Sequence, residues 1–229
     1  MQYKSPAKIN LALDILGLDS SGYHHIQTIF HEIPLHDIIE IKKIKKGIEI
    51  ECTDPSVPTD QKNTAHKAIK LLGLDGYHIK ITKNIPPGSG LGGGSSNAAT
   101  ILKALAPNHE NLEEIATKIG MDVPFFLSGG TALGKHFGEK ITPLSRIEDL
   151  KIDIRFSENP TATKEAYANL DLAQCGKNTE KTEKMIAAIH SKNTPEIIKN
   201  IHNDFAEPKN GWHLTGSGSA RFLIVHSPV

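Results

Sequence analysis

The sequence predicts an α+β protein of two domains, and three observations carry that prediction. The first half alternates apolar and polar residues in short strand-like runs. A glycine- and serine-rich segment separates one such strand from a helix at residues 84–97. A polar stretch from Ser145 to Asp149 is followed by a new strand, several helical patterns and a second glycine turn. We place the domain boundary there, with residues 1–148 in the first domain and 149–229 in a shorter second one. A chain of 229 residues, 38% hydrophobic and 23% charged, has enough apolar surface for two modest cores.

Strands are expected at Ala7 to Leu16, Ile26 to Ile33, Ile38 to Ile44 and Ile48 to Cys52, separated by Gly, Pro and Asp. A helix over Thr64 to Leu72 closes near Gly73. Strand 77–83, the glycine segment, helix 96–105 and helix 111–119 follow, and a short helix starts near Asp122. Thr131 to His136 and Glu139 to Leu144 form a hairpin around Gly138. Beyond the strand Lys151 to Phe156, helices are expected at 163–170, 181–191 and 195–205, and a last strand at Arg221 to His226.

The glycine segment carries most of the chemical information. Pro87-Gly88-Ser89-Gly90-Leu91-Gly92-Gly93-Gly94-Ser95-Ser96-Asn97 follows the alternating Tyr77 to Lys83 and precedes good helix formers. Glycines let main-chain N–H groups turn toward an anion, and a helix start adds unpaired N–H groups and a partial positive charge. The combination predicts a phosphate cradle, with Ser95, Ser96 and Asn97 at the helix N-terminus. A flexible linker would not sit between a strand and a clean helix. Gly88, Gly90 and Gly93 satisfy the dinucleotide G-x-G-x-x-G spacing, but Glu110, Glu113 and Glu114 belong to a helix rather than to the end of a second parallel strand. No Gly-Lys-Ser/Thr ends the run, which excludes a Walker A loop.

Two other segments are suggestive. In the first strand Lys8 and Asn10 share one face, which is either solvated surface or a site. Asp122, followed by Pro124, occupies a helix start; it is either a cap or a carboxylate held ionised and able to accept a proton.

Taken together, Pro6-Ala-Lys8-Ile-Asn10, the segment Pro87 to Ala99 and the late Thr215-Gly216-Ser-Gly218-Ser219 resemble the three signature motifs of the GHMP kinase superfamily. The resemblance implies a first half like domain 2 of ribosomal protein S5 and an abbreviated, ferredoxin-like second half. With Gly22-Tyr23-His24 and Gly120-Met-Asp122-Val-Pro124, the motifs are most similar to the branch that phosphorylates the 2-hydroxyl of a methylerythritol unit bearing a CDP group. That branch serves the non-mevalonate route to isoprenoids. It would use ATP and Mg2+, with Asp122 as catalytic base and Lys8 as its partner. Pro87 to Asn97 would hold the ATP phosphates, and Asn63 would lie on the adenine side. Asn10, Tyr23, His24, Tyr167, Gly216 and Gly218 would grip the acceptor. Relatives acting on homoserine or mevalonate share the glycine loop but are not expected to combine it with Tyr23-His24 and Asp122-Val-Pro124. A nucleotide-binding module without activity is the other alternative.

Composition narrows the remaining classes. Lys and Arg total 26, as do Asp and Glu, so net charge gives no reason to expect nucleic acid or membrane as partner. Cys52 and Cys175 are too few for a disulfide framework or a zinc site, and no apolar run reaches spanning length. These features predict a cytoplasmic monomer or homodimer acting on a small molecule, without a resident metal site. The chain ends soon after Arg221 to Val225, where members of the superfamily usually continue through a strand, a helix and another strand. We therefore expect a shortened second domain.

Overall fold

The computed structural model describes all residues except 21, 148–149, 158–162 and 226–229. The secondary structure is mixed, with strands and helices interleaved along the chain. Two compact units can be distinguished. One comprises Met1–Ala7, Ile33–Pro87 and Gly92–Ser128; the other comprises Lys8–Glu32, Gly88–Leu91 and Gly129–Val229. Each unit draws on three separate stretches of the chain, and the expected boundary at residues 148 and 149, which lie outside the described residues, remains a proposal about domain organisation.

Two long strands run through both units, β1 (Gln2–Leu18) and β2 (His24–Lys43). The second merges the two strands expected on either side of Pro34. It pairs antiparallel with β5 (Thr131–His136) over Ile26 to His31, and with β4 (Tyr77–Thr82) over Ile38 to Lys43. Pro34 lies outside both registers, so its missing N–H removes no bond from either ladder.

In the first unit β3 (Ile48–Cys52) runs parallel to β4, with β2 on the other side of β4. Three helices belong to this unit: α1 (Thr64–Leu71) packs against β3, and α2 (Gly93–Leu105) and α3 (Leu112–Ile119) pack against α1 and each other. The short α4 (Val123–Ser128) packs against α2, and the Lys103 ammonium donates to the Phe126 carbonyl at 2.8 Å. Ile39, Ile79, Ile81, Ile69, Ile101 and Phe125 are fully buried in this core. Branched and aromatic side chains alternating with polar ones along β4 and β2 place the apolar set on the helix-covered face.

The second unit holds the β2–β5 ladder, extended by β6 (Lys140–Pro143). A separate three-stranded antiparallel sheet comprises β7 (Lys151–Arg155), β10 (Arg221–Val225) and β9 (His213–Leu214), with β10 in the middle. Between β7 and β9 in sequence come α5 (Thr163–Ala168), α6 (Thr179–His190), α7 (Thr194–Lys199) and the two-residue β8 (His202–Asn203). The helix expected over 195–205 stops at Lys199. Asn200 caps it, and the chain turns extended so that His202 and Asn203 pair in parallel with Ala12 and Leu13 of β1. The last strand ends at Val225; His226 lies outside the described residues.

Candidate active site

The glycine loop adopts the backbone its composition demands. Gly88, Gly90 and Gly92 have φ of +70°, +81° and +74°, values that L side chains rarely adopt. Helix α2 starts inside the run, with Gly92 as its cap, earlier than the expected start at residue 96. Gly93, Gly94 and Ser95 therefore form its first turn, while Ser96 N–H is already bonded to the Gly92 carbonyl at 2.8 Å. No side chain caps this 13-residue helix, so its orphan N–H groups are available to an anion.

The serines and the asparagine separate into two kinds. Ser96 and Asn97 are buried: Ser5 donates to Ser96 Oγ at 2.8 Å, and Asn97 Nδ2 reaches Gly93 O at 3.1 Å and Asp37 Oδ2 at 3.0 Å. Asp37 is also fully buried, ion-paired with Lys83, and accepts from the N–H groups of Asn84 and Ile85. This network fixes the strand-to-loop junction. Ser95 is only partly buried, and the turn leading to Asp122 passes close to it, since a Cβ built on Gly120 would lie 3.9 Å from Ser95 Oγ. Asn63 is buried as the cap of α1, accepting from Ala65 N–H at 2.8 Å and donating to the Pro58 carbonyl at 2.6 Å. Thr64 Oγ1 next to it donates to the Gly94 carbonyl at 2.7 Å, tying the starts of α1 and α2 together.

In the second unit the two glycine turns press main chain on main chain. A Cβ on Gly90 would come within 2.4 Å of the Thr215 carbonyl, and one on Gly218 within 2.4 Å of the Gly90 nitrogen. Ala220 N–H donates to the Ser89 carbonyl at 3.0 Å, and Asn203 Nδ2 holds the carbonyls of Leu214 and Gly216 at 3.0 and 2.9 Å. Lys8 stands beside this junction and is only 3% exposed. Its backbone N–H donates to the Leu91 carbonyl, and its ammonium donates to Asn10 Oδ1 at 2.7 Å and to the Gly90 carbonyl at 2.9 Å. A Cβ on Gly216 would approach Lys8 Nζ to 3.5 Å. The same-face pairing of Lys8 and Asn10 is thus an interior feature, not a solvated one.

A second cluster in this unit is aromatic. The His24 and Tyr167 rings lie 4.7 Å apart, and Tyr167 meets Phe205 edge-on at 4.8 Å. Tyr167, partly buried on α5, packs against the cluster of Leu13, Ile15 and Ile26. Tyr23 is 57% exposed and 5.3 Å from the Phe137 ring, leaving most of its surface open. Pro87 precedes these contacts as an exposed residue at the loop entrance.

Two buried histidines differ in charge preference. Burial, with Arg146 nearby, pushes His31 down to about 4, and its Nδ1 lies 2.9 Å from Thr131 Oγ1. Burial also works against a charge on His202, but hydrogen bonds to Asp14 and to the Asn200 carbonyl, with the charges of Asp14 and Asp204, hold its pKa above the usual value.

Sequence reasoning passed over Thr28, Asp37, Lys83 and Asn203. Thr28 left a trace: it interrupts the apolar face Ile26, Phe30 of β2.

Residues 62–130 match the family model for the GHMP kinases N terminal domain. A 4-diphosphocytidyl-2-C-methyl-D-erythritol kinase of Clostridium botulinum strain Kyoto is 41% identical over 215 residues, which span 89% of this chain and 76% of that protein. The chain belongs to the 4-diphosphocytidyl-2-C-methyl-D-erythritol kinase family. It is accordingly a kinase, as the motifs implied. The crystal structure of a 4-(cytidine 5'-diphospho)-2C-methyl-D-erythritol kinase superposes with a TM-score of 0.77 at 28% identity, covering 100% of this chain and 91% of that one. A homoserine kinase from Cytophaga hutchinsonii shares the fold, with a TM-score of 0.65 at 19% identity over 95% of this chain and 84% of that one. The fold is thus the mixed α and β arrangement of GHMP kinases, whose phosphate donor is ATP. No helix among the described residues is long and apolar enough to cross a membrane.

Proposed function

We propose that the chain transfers the γ-phosphoryl group of ATP to the 2-hydroxyl of 4-diphosphocytidyl-2-C-methyl-D-erythritol, giving the 2-phosphate and ADP in the non-mevalonate route to isoprenoids. Asp122 takes the hydroxyl proton as the oxygen attacks the γ-phosphorus in line. The bond from that phosphorus to the bridging oxygen breaks, and ADP leaves. Lys8 acts in this proposal as partner to Asp122 in orienting the hydroxyl.

The observation that carries this reading is the clamp on Lys8, whose ammonium is held by Asn10 and by a carbonyl of the phosphate loop. A buried lysine fixed to the loop that holds the phosphates is suited to positioning and charge stabilisation, which supply most of the catalysis in phosphoryl transfer. The open first turn of α2 and the exposed Gly94 suit a triphosphate, with Gly88 to Ser95 contributing main-chain donors. No group of three or more His, Cys, Asp or Glu able to hold a metal occurs among the described residues. Mg2+ would be held by the ATP phosphates with help from the Ser95 hydroxyl, which is only partly buried, and would neutralise phosphate charge there. Tyr23, His24 and Tyr167 offer ring faces and a hydrogen-bonding edge for cytosine. We propose the same enzyme to be cytoplasmic, a monomer or homodimer, with residues 149–229 as its second domain.

An ADP-release assay with Mg2+-ATP tests the assignment, with 4-diphosphocytidyl-2-C-methyl-D-erythritol, homoserine, mevalonate or no acceptor. Turnover only with the cytidine-bearing alcohol is expected. Asp122→Asn should lower kcat by about 10³-fold with ATP affinity retained. Preferred turnover of homoserine or mevalonate would sink the acceptor assignment, and an active Asp122→Asn enzyme would sink the base.

A further inference from the structure

The Lys8 clamp depends on which way the Asn10 amide points, and that orientation is set from β2. Asn10 Nδ2 donates to Thr28 Oγ1 at 2.7 Å, and Thr28 Oγ1 in turn donates to the Ala12 carbonyl at 2.6 Å. A threonine hydroxyl has a single hydrogen. With that hydrogen committed to Ala12, Thr28 can only accept from Asn10. The amide oxygen must then face the other way, toward Lys8 Nζ at 2.7 Å and Thr215 Oγ1 at 3.4 Å. The reversed amide would set oxygen against a hydroxyl with no hydrogen to give, and NH2 against an ammonium. Thr28 is fully buried and Asn10 only 3% exposed, so water does not compete for these bonds.

The geometry points to Thr28 as a positioning residue for phosphoryl transfer, one that never touches substrate but locks the Asn10 amide and thereby the Lys8 ammonium. This inference rests on the role proposed above for Lys8. It assigns the polar interruption in an otherwise apolar strand face to the reaction rather than to packing. Valine matches threonine in shape but can neither accept from Asn10 nor donate to Ala12; serine can do both.

The test is steady-state kinetics on the full chain with Mg2+-ATP and 4-diphosphocytidyl-2-C-methyl-D-erythritol, comparing Thr28→Val, Thr28→Ser, Lys8→Ala and the Lys8→Ala/Thr28→Val pair. Misplacing a reacting group by a fraction of its bond length is costly, so Thr28→Val should lower kcat about 10- to 100-fold while the KM for ATP stays within about twofold. Thr28→Ser should recover to within about threefold of the parent. With Lys8 already removed, adding Thr28→Val should cost less than about twofold more, because the two act through one contact. If Thr28→Val does not fold, Thr28→Cys, whose thiol is a poor acceptor, is judged by the same criteria.

A kcat for Thr28→Val within about twofold of the parent, with Lys8→Ala crippled, overturns this inference and leaves the role of Lys8 standing. An equal loss from Thr28→Val whether or not Lys8 is present also overturns it. A Lys8→Ala enzyme at parental kcat, or a parent chain that phosphorylates none of the acceptor, overturns both.

Discussion

The glycine loop proposed to hold phosphate is built from main chain, whereas Tyr23, His24 and Tyr167, proposed to grip the acceptor, offer side chains, and the two should fail differently. At Gly90 there is no room even for a methyl group, because the Thr215 carbonyl occupies the space. At Tyr23 more than half of the side chain is open, and nothing collapses if it is trimmed. A site made of backbone is therefore all-or-nothing toward substitution, while one made of ring faces is graded.

The largest effect is expected at the glycine contact. Gly90→Ala forces both a left-handed alanine and a Cβ only 2.4 Å from the Thr215 carbonyl oxygen, and should reduce kcat/KM by about 10²-fold or more. An alanine enzyme with near-parental kinetics would show that the two turns separate easily, and the contrast would collapse. A smaller, selective loss is expected at Tyr23. Removing one stacking ring should raise the KM for the cytidine substrate about tenfold and leave the KM for ATP unchanged. Unchanged acceptor KM would mean the exposed ring is only a turn-flanking residue.

The smallest effect is a matter of pH and stability, and it reaches the main-chain side through β8. The hydrogen bond to Asp14 helps hold the pKa of His202 above its usual value, and the adjacent Asn203 grips the carbonyls of the second glycine turn. Because the folded pKa lies above the unfolded one, the stabilisation is complete below the unfolded value and is lost as pH rises through the folded value. Urea unfolding at a series of pH values should show that decline, and His202→Gln should flatten it. A decline that persists in the variant would assign it to another group.

Much of this was legible in the sequence, for reasons that differ by element. Glycine runs announce left-handed backbone directly, so the loop at 88–94 and the turn at 215–219 could be placed from composition alone. Alternation gave β1, β3, β4 and the hairpin of β5 and β6. The helix over 195–205 was overcalled because Ile197, Ile198 and Ile201 keep a helical rhythm, yet the chain turns extended after Asn200, where His202 meets the Asn200 carbonyl and Asp14 and pairs with β1. Pro34 suggested a break in β2, and only the registers with β4 and β5 explain why the strand runs on. The Lys8 clamp was half visible: strand alternation put Lys8 and Asn10 on one face, but whether that face was wet or dry depends on Gly90, Thr28 and Thr215, which are remote in sequence. Thr28 shows the limit, since a lone threonine in an apolar face is common and its meaning lies in the direction of one hydrogen.

Asn10 N–H donates to Thr215 Oγ1 across 205 residues of chain, and β1 meets β8 across a similar span. Contacts of such sequence separation carry a high loop-closure cost and form late. During synthesis the first glycine loop would leave the ribosome long before the turn that braces it. The nascent chain thus elongates from residue 90 to residue 218 without the Gly90–Gly218 brace, and competence for phosphoryl transfer is expected to arrive abruptly, once that second turn has formed, rather than in step with chain length.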